Sequence, residues 1–362
     1  MALTARQRRT LPGVTAQATS TGANALADDL PLLADVFGLG GISDVRFLAE
    51  GLMNRNWQII AGRGVFALKQ IIDVPLPAAR RNLAVVRALA SDGVPACSPV
   101  VTAGGDMVAE AGGRGYCLFP WVDGCQPHGT ELVPGQARSL GAVLGRIHES
   151  LNRLAPGAGM PGRPASLRSR VPEPAVALAE ADRFLAHIAR LRSRQRWDLA
   201  VADCLERRKI LLGRHESSRP DGDVPAGPSG WTHGDFQHLN VIWQDGEVAG
   251  VIDWDRVSVR PFGEEVARSA TLLFGCDSGV LDLGRVAAFV SGYRAVVPVS
   301  GEDLADAVDR LWWKRMCDYW HLVFHYDRGN SSCDHLFLPA SRFLDWWTSR
   351  REDVQAAFAA RP

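Results

Sequence analysis

The chain has 362 residues, 46% of them hydrophobic and 22% charged, with 40 Lys+Arg balancing 40 Asp+Glu. That composition is globular and long enough for two core-bearing lobes, which excludes disorder throughout. Zero formal charge leaves no global positive field to hold nucleic acid or an anionic membrane, and no apolar run reaches the roughly eighteen residues of a bilayer-spanning helix.

The seven cysteines are odd in number, scattered and never spaced C-x-x-C. This argues against a disulfide framework or zinc ribbon and fits a reducing cytoplasm. A soluble cytoplasmic protein, monomer or homodimer, is expected. Residues 1–30 contain no acid before Asp28 and read as a disordered extension.

Val45–Ala49, Trp57–Ala61 and Val65–Ile71 read as strands, the last two joined by a turn at Gly62-Arg63-Gly64. Leu83, Val86, Leu89 and Ala90 then recur at helical spacing, closed by Gly93 and Pro95. Strand-like pieces follow at Pro99–Ala103 and Tyr116–Val122. Residues 31–123 therefore read as a β-rich lobe of order β-β-β-α-β-β.

From Pro134 helical patterns dominate, and residues 124–362 read as a mostly helical lobe. Leu140, Val143, Leu144 and Ile147 share one face. Arg214–Gly230 is rich in Pro, Gly and Ser and reads as a mobile loop. Ser300 to Asp303 is a capping box opening a long helix, in which Leu304, Val308, Trp312, Met316, Trp320 and Phe324 recur every four residues.

The segment 231–255, WTHGDFQHLNVIWQDGEVAGVIDWD, carries the chemistry. Asp235 and Asn240 lie in a turn-like stretch, and Asp253 ends an apolar strand. Between them Asp245-Gly246, flanked by Val241–Trp243 and Val248–Ile252, signals a hairpin that folds Asp253 back beside Asn240. Two such oxygen ligands suit Mg²⁺, a hard ion commonly shared between protein and substrate phosphates. Asp235 is then left to orient and deprotonate a hydroxyl, the minimum set for phosphoryl transfer.

His233-Gly234-Asp235 with Asn240, followed by Ile252-Asp253-Trp254, resembles the aminoglycoside phosphotransferase and choline kinase-like family. The resemblance implies an α+β, bilobal protein-kinase-like fold, ATP or GTP with Mg²⁺ as cofactors, and a small hydroxylated acceptor. Asp235 is implied as the catalytic base and Asn240 and Asp253 as metal ligands, with His233 structural. Lys69, one of only three lysines in the chain, resembles the third-strand lysine that contacts the α- and β-phosphates. Gly51 and Asn54 fall where the family has a phosphate-covering loop, and Phe119, Trp121 and Val122 where its hinge reads the base.

The helix after Lys69 departs from the pattern: residues 78–91 contain no acid, and Asn82 aligns best with the expected glutamate. A non-catalytic nucleotide-binding module is therefore a rival reading. For the acceptor, an aminoglycoside, amino sugar or nucleoside-type antibiotic is expected, with a small amino alcohol of the homoserine or choline type as the alternative. Asp255, Glu264, Glu265, Asp318 and Asp327 would suit a cationic acceptor, and Trp313, which the four-residue stripe does not explain, would stack on a sugar or base. Cys317, His321 and His325 share a helical face at a spacing that would suit zinc.

Overall fold

The computed structural model describes residues 26–48, 54–276 and 278–359. The chain divides into two compact units: one runs up to Arg87 and resumes over Cys97–Val122, and the other takes Ala88–Ala96 and everything from Asp123.

The first unit is built on a five-stranded antiparallel sheet: β1 (Ile42–Leu48), β2 (Arg55–Ala61), β3 (Gly64–Ile71), β4 (Ala109–Ala111) and β5 (Arg114–Pro120), in spatial order β1-β2-β3-β5-β4. Alternation along β2, β3 and β5 sends Trp57, Ile59, Leu68, Tyr116 and Leu118 to one face, where they meet Leu33 of helix α1 (Leu30–Val36). The opposite face places Ile71 and Cys117 against Ala79 and Leu83 of helix α2 (Leu76–Ser91).

Two expectations need correction here. Residues 99–103 form no strand: Pro99 has no N–H to donate, and Val100 makes a single ladder-like bond to the Leu118 carbonyl at 2.8 Å. The fourth strand is the short β4. Residues 26–30, read as part of an extension, belong to this unit's packing. Leu26 is 1% exposed, and Asp29 accepts hydrogen bonds from Arg114 Nε at 2.8 Å and Tyr116 Oη at 2.6 Å.

The second unit is mainly helical, with α3 (Pro134–Leu154), α4 (Pro174–Arg190), α5 (Arg196–Arg214), α6 (Phe262–Leu273), α7 (Leu283–Arg294), α8 (Gly301–Cys317), α9 (Asp334–Ser349) and α10 (Arg351–Ala359). Two small antiparallel pairs carry its loops: β6 (Ser229–Thr232) with β9 (Ser258–Pro261), and β7 (Val241–Gln244) with β8 (Glu247–Val251). Leu140, Leu144 and Ile147 of α3 are fully buried. Close approach of α3 to α7 requires glycine at the crossing: a Cβ on Gly141 would strike the Phe289 carbonyl, and one on Gly292 the Arg138 carbonyl.

The four-residue stripe of α8 buries Leu304, Val308, Trp312 and Met316 and then stops. The helix ends at Cys317, Asp318 is extended, and Trp320, expected in the core, is 39% exposed. The loop expected to be mobile is tied down by Arg310, which donates to the carbonyls of Asp221 (3.3 Å), Gly222 (3.1 Å) and Val224 (3.1 Å). Among the described residues no helix is long and apolar enough to cross a membrane.

Candidate active site

The segment after β6 is a tight loop set by one glycine and one buried carboxylate. Gly234 has φ +84°, and a Cβ there would collide with the Arg256 carbonyl, so only glycine fits. Glu265 of α6, 3% exposed, accepts the N–H groups of His233 (3.0 Å) and Gly234 and a bond from His148 Nε2 of α3 at 2.6 Å. Burial alone would raise its pKa, but these bonds hold it below the ordinary glutamate value.

His233 is fully buried. Its Nδ1 accepts from the Asp235 N–H at 3.2 Å, which leaves Nε2 protonated to donate to the Ile252 carbonyl at 3.1 Å. Burial lowers its pKa, so the ring is a neutral strut joining the loop to the end of β8.

The Asp235 carboxylate is held at both oxygens. Arg268 Nη2 of α6 donates to Oδ1 at 2.7 Å, while Gln237 Nε2 and Asn240 Nδ2 donate to Oδ2 at 3.0 Å each. Burial pushes its pKa up, and the Arg268 ion pair more than offsets that, leaving it below 3.8. Asn240 Nδ2 also donates to the Asp235 carbonyl at 2.8 Å, so its amide nitrogen faces Asp235 and its Oδ1 lies on the other side.

The hairpin forms as the turn chemistry requires, with Asp245 (φ 52°) and Gly246 (φ 86°) between β7 and β8. At its open end the Ile252 N–H donates to the Asn240 carbonyl at 3.0 Å, which sets Asp253 beside Asn240. Asp253 is exposed and left-handed (φ 62°), a conformation aspartate tolerates better than most residues. An amide oxygen and a carboxylate, both hard donors, suit a divalent cation that phosphates help to hold. Among the described residues no group of three or more His, Cys, Asp or Glu side chains is arranged to hold a metal.

In the sheet unit, Lys69 lies on β3 opposite Cys117 of β5, on the face covered by α2, where Asn82 is also buried. Asn54 Oδ1 accepts the N–H groups of Ile72 (2.9 Å) and Asp73 (3.3 Å), clamping the end of β3. Gly51 lies outside the described residues. Phe119 and Val122 are half-buried, while the Trp121 N–H, expected to read a base, continues the ladder to the Val65 carbonyl at 2.9 Å.

Residues 44–298 match the phosphotransferase enzyme family, APH. The chain belongs to that family. Homoserine kinases of Methylobacillus flagellatus (24% identical over 78% of this chain and 82% of theirs) and Methylobacillus glycogenes (25%, 78% and 82%) are similar in sequence. In structure this phosphotransferase is similar to a spectinomycin phosphotransferase solved with ADP and spectinomycin (TM-score 0.61, 18% identity, 91% of this chain and 96% of that one). It is also similar to an amicoumacin kinase solved with AMP-PNP and Ca²⁺ (0.58, 18%, 90% and 96%). The fold is kinase-like, with a small antiparallel sheet lobe and a helical lobe, and the protein is an enzyme of alcohol phosphorylation.

The residues expected to meet the phosphotransferase's acceptor differ in their surroundings. Trp313 is fully buried and its indole donates to the Pro172 carbonyl at 2.8 Å, so it is a core residue and cannot stack on an acceptor. Glu265 is committed to the loop, and Asp327 to a two-pronged pair with Arg183 at 2.8 and 2.9 Å. Asp318 Oδ1 caps the Trp320 N–H at 2.9 Å, and Asp255 is half-buried in the turn Trp254–Arg256. Glu264 alone presents a buried carboxylate oxygen, Oε1, without a hydrogen-bond partner.

The proposed zinc face does not form, because the helix breaks after Cys317 and His325 Nδ1 is bonded to Asp334 at 2.8 Å. Arg268, Gln237 and His148 are the residues sequence reasoning missed, and Glu265, expected to face a cationic acceptor, instead holds the loop.

Proposed function

We propose that this phosphotransferase transfers the γ-phosphoryl group of ATP or GTP to the hydroxyl of a small molecule, with Asp235 as the base. The observation that carries the reading is the Asp235 carboxylate, kept charged and fixed by Arg268, Gln237 and Asn240, next to a ligand pair of hard oxygens.

The acceptor oxygen forms a bond to the γ-phosphorus, the bond from that phosphorus to the β,γ-bridging oxygen breaks with its electron pair leaving on the nucleoside diphosphate, and the hydroxyl proton passes to Asp235. Asn240 Oδ1 and the Asp253 carboxylate would hold the divalent cation. When bound, that cation neutralises charge on the phosphates. Lys69 is the residue we assign to the α- and β-phosphates, and Phe119 and Val122 those near the base.

For the acceptor we place a small amino alcohol of the homoserine type first. Similarity to proteins named homoserine kinases extends over 78% of the chain, whereas likeness to the antibiotic kinases, at 18% identity, is likeness of fold. The missing acid on α2 is the sole support for a non-catalytic module. The test is magnesium-dependent ADP formation with a panel of amino alcohols, aminoglycosides, sugars and nucleosides, comparing wild type with Asp235→Asn. Loss of turnover by roughly 10²-fold or more with nucleotide binding retained is expected. Equal turnover would remove Asp235 from the mechanism.

A further inference from the structure

A cavity of about 60 Å³ opens against Gly234 of the catalytic loop, walled by residues 169–172, α6 and α8. That volume admits the end of a small metabolite. Its wall is cationic: Arg170, Arg260, Arg268, Arg310 and Lys314 line it against two acids, Glu264 and Glu265.

Those charges are not equivalent. Arg310 is tied to Asp306 at 2.7 Å and to the loop carbonyls, and Glu265 to the catalytic loop. No carboxylate among the described residues pairs with Arg170, Arg260 or Lys314, and Arg260 makes one hydrogen bond, from Nε to Ser258 Oγ at 2.9 Å. Arg315, next to this wall on α8, is a further, half-buried cation, its pKa held down to about 10 by burial and by Arg268; its Nη2 donates to Thr271 Oγ1 at 3.1 Å and its Nε has no partner. Arg170 and Lys314 are exposed and carry their charge at little cost, but Arg260 and Arg268 are half-buried, and positive charge gathered around one pocket favours an anion there. The one acid left over is Glu264, with its unsatisfied Oε1.

Resting on the kinase reading above, we propose that this cavity is the acceptor subsite and that it takes a small hydroxylated zwitterion, an amino-acid-like alcohol. Arg260, Arg268 and Lys314 face its carboxylate and Glu264 its ammonium. Arg268 then has two faces, one on the base and one on the acceptor, which places the acceptor's hydroxyl at Asp235 when its carboxylate is seated. A polycation would meet like charge here, and a quaternary ammonium would find no aromatic side chain in the lining.

The experiment uses the full chain with Mg-ATP and acceptors that differ by one charged group: L-homoserine, L-serine and L-threonine as zwitterions, 3-aminopropan-1-ol without the carboxylate, 4-hydroxybutyrate without the ammonium, and spectinomycin. A zwitterion is expected to exceed 3-aminopropan-1-ol by roughly 100-fold or more in kcat/KM. Lys314→Met and Arg260→Gln should each raise KM for that zwitterion about tenfold with a smaller change in kcat, and leave KM for 3-aminopropan-1-ol unmoved. Glu264→Gln should raise KM for the zwitterion and not for 4-hydroxybutyrate.

Turnover of 3-aminopropan-1-ol or spectinomycin at least as fast as of any zwitterion overturns the proposal and leaves the kinase reading standing. So does ADP formation that depends on Asp235 with no zwitterion as acceptor, or an unchanged KM in all three variants. ADP formation that is absent, or identical in Asp235→Asn, fails the kinase reading itself and this proposal with it.

Discussion

Arg268 Nη2 lies 2.7 Å from Asp235 Oδ1, a contact that joins helix α6 to the catalytic loop across 33 residues of chain. Both side chains are partly exposed, so the pair is not a large stability element. Its consequence is electrostatic: it keeps a half-buried carboxylate ionised and fixes which lone pairs remain for a hydroxyl.

Removing that guanidinium should change the acid limb of the rate profile. As the proposed base, Asp235 must be deprotonated to accept a proton, and its pKa sits below 3.8 because Arg268 outweighs burial. In wild type, activity should therefore stay independent of this group down to about pH 4. In Arg268→Gln burial acts with less opposition, so the acid limb of kcat/KM should move upward by about one pH unit or more. An unmoved limb would show that Arg268 does not set the charge state of Asp235.

The pairing of Asn240 and Asp253 predicts a metal phenotype. Asp253→Asn keeps size and turn preference while removing the charge. The Mg²⁺ concentration for half-maximal activity should rise at least about tenfold. Titration of activity against Mg²⁺ checks this, and an unchanged midpoint would take Asp253 out of the ligand set.

Gly234 and Gly222 offer a controlled comparison of backbone strain. Both have positive φ, +84° and +65°, but a Cβ at Gly222 meets nothing within 4 Å, whereas one at Gly234 meets the Arg256 carbonyl. Gly222→Ala should cost about 1 kcal/mol, and Gly234→Ala about 3 kcal/mol or more together with most of the activity. Urea midpoints would measure the difference, and equal losses would show that the loop yields at little cost.

Histidines held neutral by burial give stability a pH dependence of known sign. His233 and His321 both have folded-state pKa values below 6.5, His321 at about 4. Below pH 6.5 the unfolded chain binds protons there that the folded chain does not, so stability falls with falling pH in that window. The limit is about 1.4 kcal/mol per pH unit for each such group. Urea midpoints at pH 7.5, 6.5 and 5.5 should therefore decline. A flat series would mean these rings accept protons without unfolding.

Much of this site was legible from residue order because its parts are local. Asp235, Asn240 and Asp253 lie within nineteen consecutive residues, and the Asp245-Gly246 turn determines how they fold together. The helix face of Leu140, Leu144 and Ile147 was legible for the same reason, since periodicity within one element is a local property. What stayed hidden came from distant chain. Arg268 reaches the loop from another helix, His148 supports it through Glu265, and nothing near them in sequence announces a partner. Trp313 misled because two adjacent positions of α8 are both buried, so a strict four-residue stripe understated the width of the buried face. Pro99–Ala103 had strand-like composition but a proline where a ladder needs a donor.

The hairpin between Asn240 and Asp253 ties spacing to folding order. Its contacts close over about a dozen residues, so the distance between the two oxygen donors is established by a ribbon that can form in microseconds, before slower long-range pairings are complete. Lengthening the Asp245-Gly246 turn by a single residue would reverse the faces of one strand and swing Asp253 away from Asn240, separating the two proposed cation ligands in a protein whose helices remain intact.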